Sequence, residues 1–325
     1  MTEVQTARGP VDSSRLGRTL VHEHVFVLGE EYRNNYQDDW DEEQKIADAV
    51  ADLNELKRLG IDTIMDPTVL GLGRYIPRIQ KIAERTDLNV IVATGLYTFN
   101  DIPHQFHYRG PGLLVDIPEP LTDLFIKDLT KGIGDTGVRA AFLKCAIDEP
   151  GLTPGVERVM RAAGQAAVHT GAPITVHTHA GTHSGLVVQR VLAEEGVDLS
   201  QVIIGHSGDS TDLDYLSKLA EAGSLLGMDR FGLDVFLPLR DRIDTIVELV
   251  RRGYGGSIVI SHDASCFIDF ISTEQRHAIA PNWNYRHISE DVLPALFEAG
   301  LTETDIDMIL VANPRRHFEG SAGRP

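Results

Sequence analysis

An eightfold alternation of short apolar runs with amphipathic stretches constrains this chain more than any other feature. Residues 19–26, 63–67, 90–94, 141–144, 174–177, 202–206, 224–228 and 258–261 read as strands, mostly rich in Val, Ile and Leu and suited to burial on both faces. Between and after them, residues 43–59, 77–84, 121–133, 155–169, 185–195, 212–222, 240–251 and 290–299 carry the periodicity of helices. Strand then helix, eight times over, predicts an α/β chain folded as a (β/α)8 TIM barrel. A doubly wound open sheet is the rival. It would string the polar strand ends along one edge, whereas a closed barrel gathers them into a ring.

No Gly/Ser-rich or Pro-rich linker interrupts the pattern, so residues 1–325 are expected to form one barrel domain. Residues 1–18 are expected to open it with a hairpin turning at Gly9-Pro10. The net charge of -18 should repel phosphate backbones and anionic lipid, which argues against nucleic-acid and membrane partners. Acidic residues are densest between Glu30 and Glu55, which reads as a solvated face. Cys145 and Cys266 are too few for a disulfide framework and suit a reducing compartment. With no signal-like opening and no run near the ~20 apolar residues of a membrane span, the expected location is cytoplasmic.

In such barrels the chemistry sits at the C-terminal ends of the strands, which gives each polar residue a positional test. Strand one ends in TLVHEHVF, and period-two alternation puts Leu20, His22 and His24 on one face and Val21, Glu23 and Val25 on the other. Strand five ends in PITVHTHA, strand six in VIIGHSGDS and strand eight in IVISHDAS. These place His177, with His179 on the same face, His206, and either Asp263 or His262 at strand ends. So many nitrogen and oxygen donors at such positions point to bound metal.

Lys144 ends strand four in the apolar run AAFLKCA. An ammonium enclosed near metal cations should fall below its usual pKa of ~10.4, since burial and like charge both disfavour it. The neutral amine can then add carbon dioxide, giving a two-oxygen carbamate on a long arm suited to bridging two divalent ions. Alternation puts Phe142 and Lys144 inside the barrel, with Ala141, Leu143 and Cys145 toward the helices.

The chain resembles the binuclear amidohydrolases, specifically the phosphotriesterase family, in HEH on strand one, the lone Lys ending strand four, His on strands five and six, and SHD on strand eight. The strings GLGRYIPRI, ATGLYTFNDIP, DEPGLTPGVERV, GHSGDSTDLDYL, GMDRFG and PNWNYRHI are similar to those of the phosphotriesterase-like lactonases. The resemblance implies that His22, His24 and Asp263 hold the more buried metal and His177 and His206 the more exposed one. N6-carboxylated Lys144 and a hydroxide would bridge the pair. Zinc, iron, cobalt or manganese would serve. His179 and Cys145 are then packing or supporting groups, and His262 is structural.

The same resemblance implies that the bridging hydroxide attacks the substrate, that Asp263 accepts its proton, that Tyr97 contacts the substrate and that Arg230 lines the pocket. Residues 264–289 form an unusually long connection, and segments beyond ~12–15 residues without secondary structure are usually functional. Phe267, Ile271 and Trp283 within it are expected to wall an apolar channel for an acyl chain. The expected activity is opening of N-acyl-homoserine lactones, the signals of bacterial quorum sensing, with weaker organophosphate hydrolysis, by a homodimer. The alternatives are an enzyme acting mainly on organophosphate triesters and a barrel that binds metal without turnover.

Overall fold

The computed structural model describes residues 2–37 and 40–320; Met1, residues 321–325, and Asp38 and Asp39 of the acidic stretch lie outside them. The chain opens with a hairpin of β1 (Glu3–Thr6) and β2 (Gly9–Asp12). Its turn falls at Ala7-Arg8, not at Gly9-Pro10, because Gly9 already pairs with Thr6. The Thr6 hydroxyl secures the turn by donating to Gly9 O at 2.7 Å and accepting from Arg8 N at 3.2 Å.

Strand one is split into β3 (Thr19–Leu20) and β4 (His24–Val27). It is followed by β5 (Thr63–Asp66), β6 (Asn89–Gly95), β7 (Phe142–Ala146), β8 (Ile174–His177), β9 (Val202–Gly205), β10 (Leu225–Met228) and β11 (Ile258–Ile260). The strands β3 and β5 to β11 hydrogen-bond side by side in chain order, each neighbour parallel. Where β11 meets strand one, Asp263 N donates to His22 O at 3.0 Å and His24 N to Ala264 O at 2.8 Å, which brings the barrel nearly to closure.

After α1 (Glu30–Tyr36), which buries no residue, helices cover the sheet: α2 (Glu42–Arg58), α3 (Ile76–Ala83), α4 (Pro120–Thr130), α5 (Pro154–Thr170), α6 (Ser184–Glu194), α7 (Leu213–Glu221) and α8 (Leu239–Arg251). Their limits follow local chemistry. In α5 the Thr153 side chain accepts from Val156 N, Pro154 occupies the first turn, and Gly171 ends the helix at φ 75°. The face α2 buries, Ile46, Ala49, Leu53 and Leu56, has the spacing of one helical stripe.

Alternation along the strands sorts the core into two layers. Val21, Met65, Ile91, Phe142, Ile203 and Leu225 fill the barrel, while Leu20, Ile64, Val90, Leu143, Cys145 and Ile204 pack outward against helices. Two details depart from the sequence reading. Leu20 faces outward and Val21 inward, so alternation is interrupted at the split in strand one. Ala141 precedes β7 and packs with the inner cluster.

The connection after strand eight is not a bare loop. It contains β12 (Ser265–Ile268), parallel to β4 with Ser265 opposite His24, and α9 (Thr273–Ile279), opened by a Ser272–Gln275 capping box. A π-helical turn, Ile288–Val292, then runs into α10 (Leu293–Glu298), and α11 (Glu303–Asp307) and α12 (Asn313–Glu319) end the described chain.

Candidate metal centre

Four imidazoles meet at the C-terminal mouth of the barrel, each held from behind by an oxygen. His22 Nδ1 and His206 Nδ1 both reach Asp229, at 3.0 and 2.9 Å, and His206 N donates to the same carboxyl at 2.8 Å. His177 Nε2 lies 2.5 Å from Asp148 Oδ2. His24 Nδ1 lies 2.7 Å from Thr68 Oγ1, whose own hydroxyl donates to Asp66 Oδ1, so the imidazole is the donor. An imidazole that donates through one nitrogen presents a bare lone pair at the other.

Those bare atoms converge. His22 Nε2 and His24 Nε2 stand 3.4 and 3.3 Å from Asp263 Oδ1, and His206 Nε2 stands 3.9 Å from Asp263 Oδ2. His206 Nε2 and His177 Nδ1 face each other at 2.9 Å. Two lone pairs at that separation repel unless positive charge lies among them, so this donor set fits divalent cations. Nitrogen ligands oriented by hydrogen bonds at the opposite ring atom, with a carboxylate beside them, are the pattern of zinc and related metals. The groups His22, His24, Asp263 and His22, His206, Asp229 each bring ligand atoms within 4.8 Å of one another. Because Asp229 sits on the Nδ1 side, we read it as the acceptor that orients two rings.

Lys144 is 1% exposed, with Nζ 3.2 Å from His22 Nε2. Burial lowers its pKa to about 8, against the opposing pull of Asp263 and Asp229. Gly95, at φ 148°, permits this packing: a Cβ there would lie 1.8 Å from Lys144 O. Burial also lowers His177, to about 4, and takes His22 and His206 below the usual histidine range. For Asp263 burial acts upward, but His22, His206 and Arg230 prevail and hold it well below the carboxylate range. Asp148 is lowered to about 2, chiefly by its bond with His177.

Asp263 and His206 adopt left-handed backbone, at φ 55° and 62°. Non-glycine residues rarely do so, and such strain gathers at functional sites. Arg230 donates from Nε to Asp263 Oδ2 at 3.1 Å and from a terminal nitrogen to Asp209 Oδ2 at 3.0 Å. The Tyr97 hydroxyl lies 3.3 Å from His177 Nδ1; burial, then the charge of Asp263, raises its pKa. All eight residues named from the sequence as ligands or reacting groups therefore meet in one place.

Other expectations fare differently. His179 is only half-buried and turns to Thr182 and Ser184. Cys145 packs outward in the core, its thiol pushed up to about 12 by burial. His262 faces Glu23, away from the centre. Trp283 lines the cavity over the donors, but Phe267 and Ile271 do not. Phe267 packs against Phe26 and Trp40, with ring centroids 5.9 and 5.2 Å apart, because pairing with β4 turns its side chain that way. With Ile271 it lines a separate cavity of about 560 Å³ beside Lys45 and Asp48, which holds none of the donors.

Asp229, Asp148 and Thr68 went unnoticed in the sequence, and Glu23 was placed on the far face of its strand without a role. One signal was available for Asp229: the inward positions beside it, Gly205 and Gly227, lack side chains. A Cβ on Gly227 would lie 2.6 Å from Asp229 Oδ2, and one on Gly205 3.3 Å from it.

Fold and donor set define a barrel whose strand ends are arranged to hold metal, the class to which hydrolases activating water by metal belong. Comparison with known proteins narrows this. The phosphotriesterase family model matches residues 2–318, and the chain belongs to that family of hydrolases. It is 56% identical to a "Phosphotriesterase homology protein" of Mycobacterium tuberculosis, over 99% of each chain. It is 40% identical to an "Aryldialkylphosphatase" of Saccharolobus solfataricus, over 95% of this chain and 96% of that one. A solved structure, of "the phosphotriesterase from Mycobacterium tuberculosis", superposes with a TM-score of 0.96 at 56% identity and covers 98% of both chains.

Proposed function

We propose that this protein is a metal-dependent lactonase that opens N-acyl-homoserine lactones and hydrolyses organophosphate triesters as a side activity. The observation that carries this reading is a cavity of about 470 Å³ with two unlike surfaces. Its floor is His22, His24, Lys144, His177 and Asp263; its walls include Leu72, Phe99, Phe236, Ile268, Phe270 and Trp283. A lactone ring seated on the floor leaves its acyl chain along the walls, where each buried methylene contributes about 0.8 kcal/mol.

His22, His24 and Asp263 would hold one divalent ion and His177 and His206 a second, with carboxylated Lys144 as a further ligand. For that role the Lys144 amine adds to carbon dioxide, forming an N–C bond and releasing one proton to give the carbamate. Divalent ions bound there would supply electrophilic activation of the ester carbonyl and a lowered pKa for water. The residues do the rest. Asp263 takes the proton at the carboxyl that Arg230 holds in place, Tyr97 donates a hydrogen bond to the ester, and the apolar walls exclude bulk water.

A second reading, in which triesters are the main substrates, draws support from the relative named aryldialkylphosphatase. Values of kcat/KM for an N-acyl-homoserine lactone and for paraoxon, measured on the metal-loaded protein, decide between them. The lactone is expected to be preferred at least tenfold. A preference for paraoxon would establish the second reading, and turnover of neither would leave a barrel that only binds metal.

A further inference from the structure

Glu23 lies between two of the proposed ligands, yet its side chain points into the seam where strand one meets the turn after β11. It is fully buried. Its Oε1 accepts from the Ser261 hydroxyl at 2.9 Å, from His262 N at 2.8 Å and from His262 Nδ1 at 2.7 Å. Its Oε2 accepts from Ala264 N at 3.1 Å. One carboxyl therefore gathers residues 261, 262 and 264. The residue skipped is Asp263, the one in left-handed backbone.

The surroundings make this grip rigid. His262 Nε2 accepts from Ile288 N at 3.0 Å, so its ring is held at both ends. The Ser261 oxygen that donates to Glu23 also accepts from His22 N at 2.9 Å, tying the same network to a proposed ligand. Among the described residues β3 and β11 are not paired with each other. The Glu23 carboxyl reinforces the two backbone bonds that cross this seam, Asp263 N to His22 O and His24 N to Ala264 O, and it does so while the backbone turns over at Asp263. A glutamine offers one acceptor oxygen and an NH2 group that would confront one of the N–H donors.

We propose that Glu23 is a positioning residue: it holds the 261–264 reversal so that the Asp263 carboxyl projects among the imidazoles of His22, His24 and His206. This rests on the reading of Asp263 as ligand and proton acceptor, and not on which ester is hydrolysed. The test uses Glu23→Gln, Ser261→Ala, Asp263→Asn and the Glu23→Gln/Asp263→Asn pair, each assayed on lactone and paraoxon with metal content measured. Glu23→Gln is expected to lower kcat per metal-loaded chain ten- to hundredfold with KM within twofold. Ser261→Ala, a milder change should Glu23→Gln fold poorly, is expected to lower kcat three- to tenfold. The double variant is expected to be no slower than Asp263→Asn alone, since nothing remains to be positioned. Independent losses that multiply in the double variant, or an unchanged kcat, would overturn the proposal. A crystal structure of the folded Glu23→Gln or Ser261→Ala protein supplies a readout separate from activity. Asp263 is expected to leave positive φ or to withdraw from His22 and His24, and an unmoved Asp263 refutes the positioning role. Unchanged turnover in Asp263→Asn would instead refute the reading of the site, with the crystallographic result still deciding on Glu23.

Discussion

At the floor of the cavity every imidazole is gripped from behind by a hydrogen bond, whereas at its mouth the aliphatic and phenyl side chains are held by packing and stand partly in solvent; Trp283, whose Nε1 donates to Asp263 O at 2.9 Å, joins the two. Asp229 orients His22 and His206 together, at a depth where nothing is exposed. Phe270, Val235 and Phe236 at the mouth are 74%, 63% and 57% exposed. Hydrogen bonds in a dry site fix direction as well as distance, which reactive and ligating atoms require. Apolar contact is indifferent to direction and tolerates exchange of one side chain for another. On the proposed reading the floor sets the chemistry, and the loops at the mouth select the substrate.

The sharpest attempt to break this contrast is at Lys144. Lys144→Ala is expected to strip the centre of metal and lower hydrolysis by about a thousandfold or more, since bound metal would supply the activated water. Metal analysis and rate on the same sample check it, and an active, metal-replete variant would refute the proposed bridge. Next comes Asp229→Asn, expected to weaken metal binding about 10–100-fold by loosening two rings at once. Competition with a chelator measures this, and unchanged affinity would mean that floor residues need no support from behind.

Smaller effects are expected toward the mouth. Trp283→Ala should raise KM for a long-chain lactone about tenfold, the equivalent of roughly 1.4 kcal/mol, and change KM for a short-chain one much less. Equal changes for both chains would detach Trp283 from the channel. The smallest catalytic effect is predicted for Phe267→Ala, since this ring packs on Phe26 and Trp40 outside the cavity. Its kcat/KM should stay within about twofold of the parent, while Tm falls through lost packing. A large KM effect would place Phe267 in the channel after all.

How much of this was legible in the sequence depended on the range over which each signal acts. His177, His206 and Asp263 were visible because a strand end is recognisable from a few neighbouring residues, and Lys144 because a lone lysine in AAFLKCA is anomalous wherever it occurs. Asp229 was not, because its partners His22 and His206 lie 207 and 23 residues away. Glu23, 239 residues from His262, was read correctly as facing away from the donors, but alternation alone does not show what a side chain meets there. The faces of the segment after strand eight were opaque for a related reason. Only its pairing with β4 turns Ile268 into the cavity and Phe267 out of it.

The sequence by itself determined the barrel and the identity of its polar strand ends, since strand and helix periodicities are local consequences of backbone geometry and side-chain burial. Tertiary structure alone decided which nitrogen of each imidazole is left bare, which carboxyl orients it, where Asp263 must strain its backbone and which aromatic side chains reach the substrate. Those outcomes depend on hydrogen bonds and packing between segments from 23 residues apart, for His206 and Asp229, to 207 apart, for His22 and Asp229, and such contacts exist only once the barrel has brought its strand ends together.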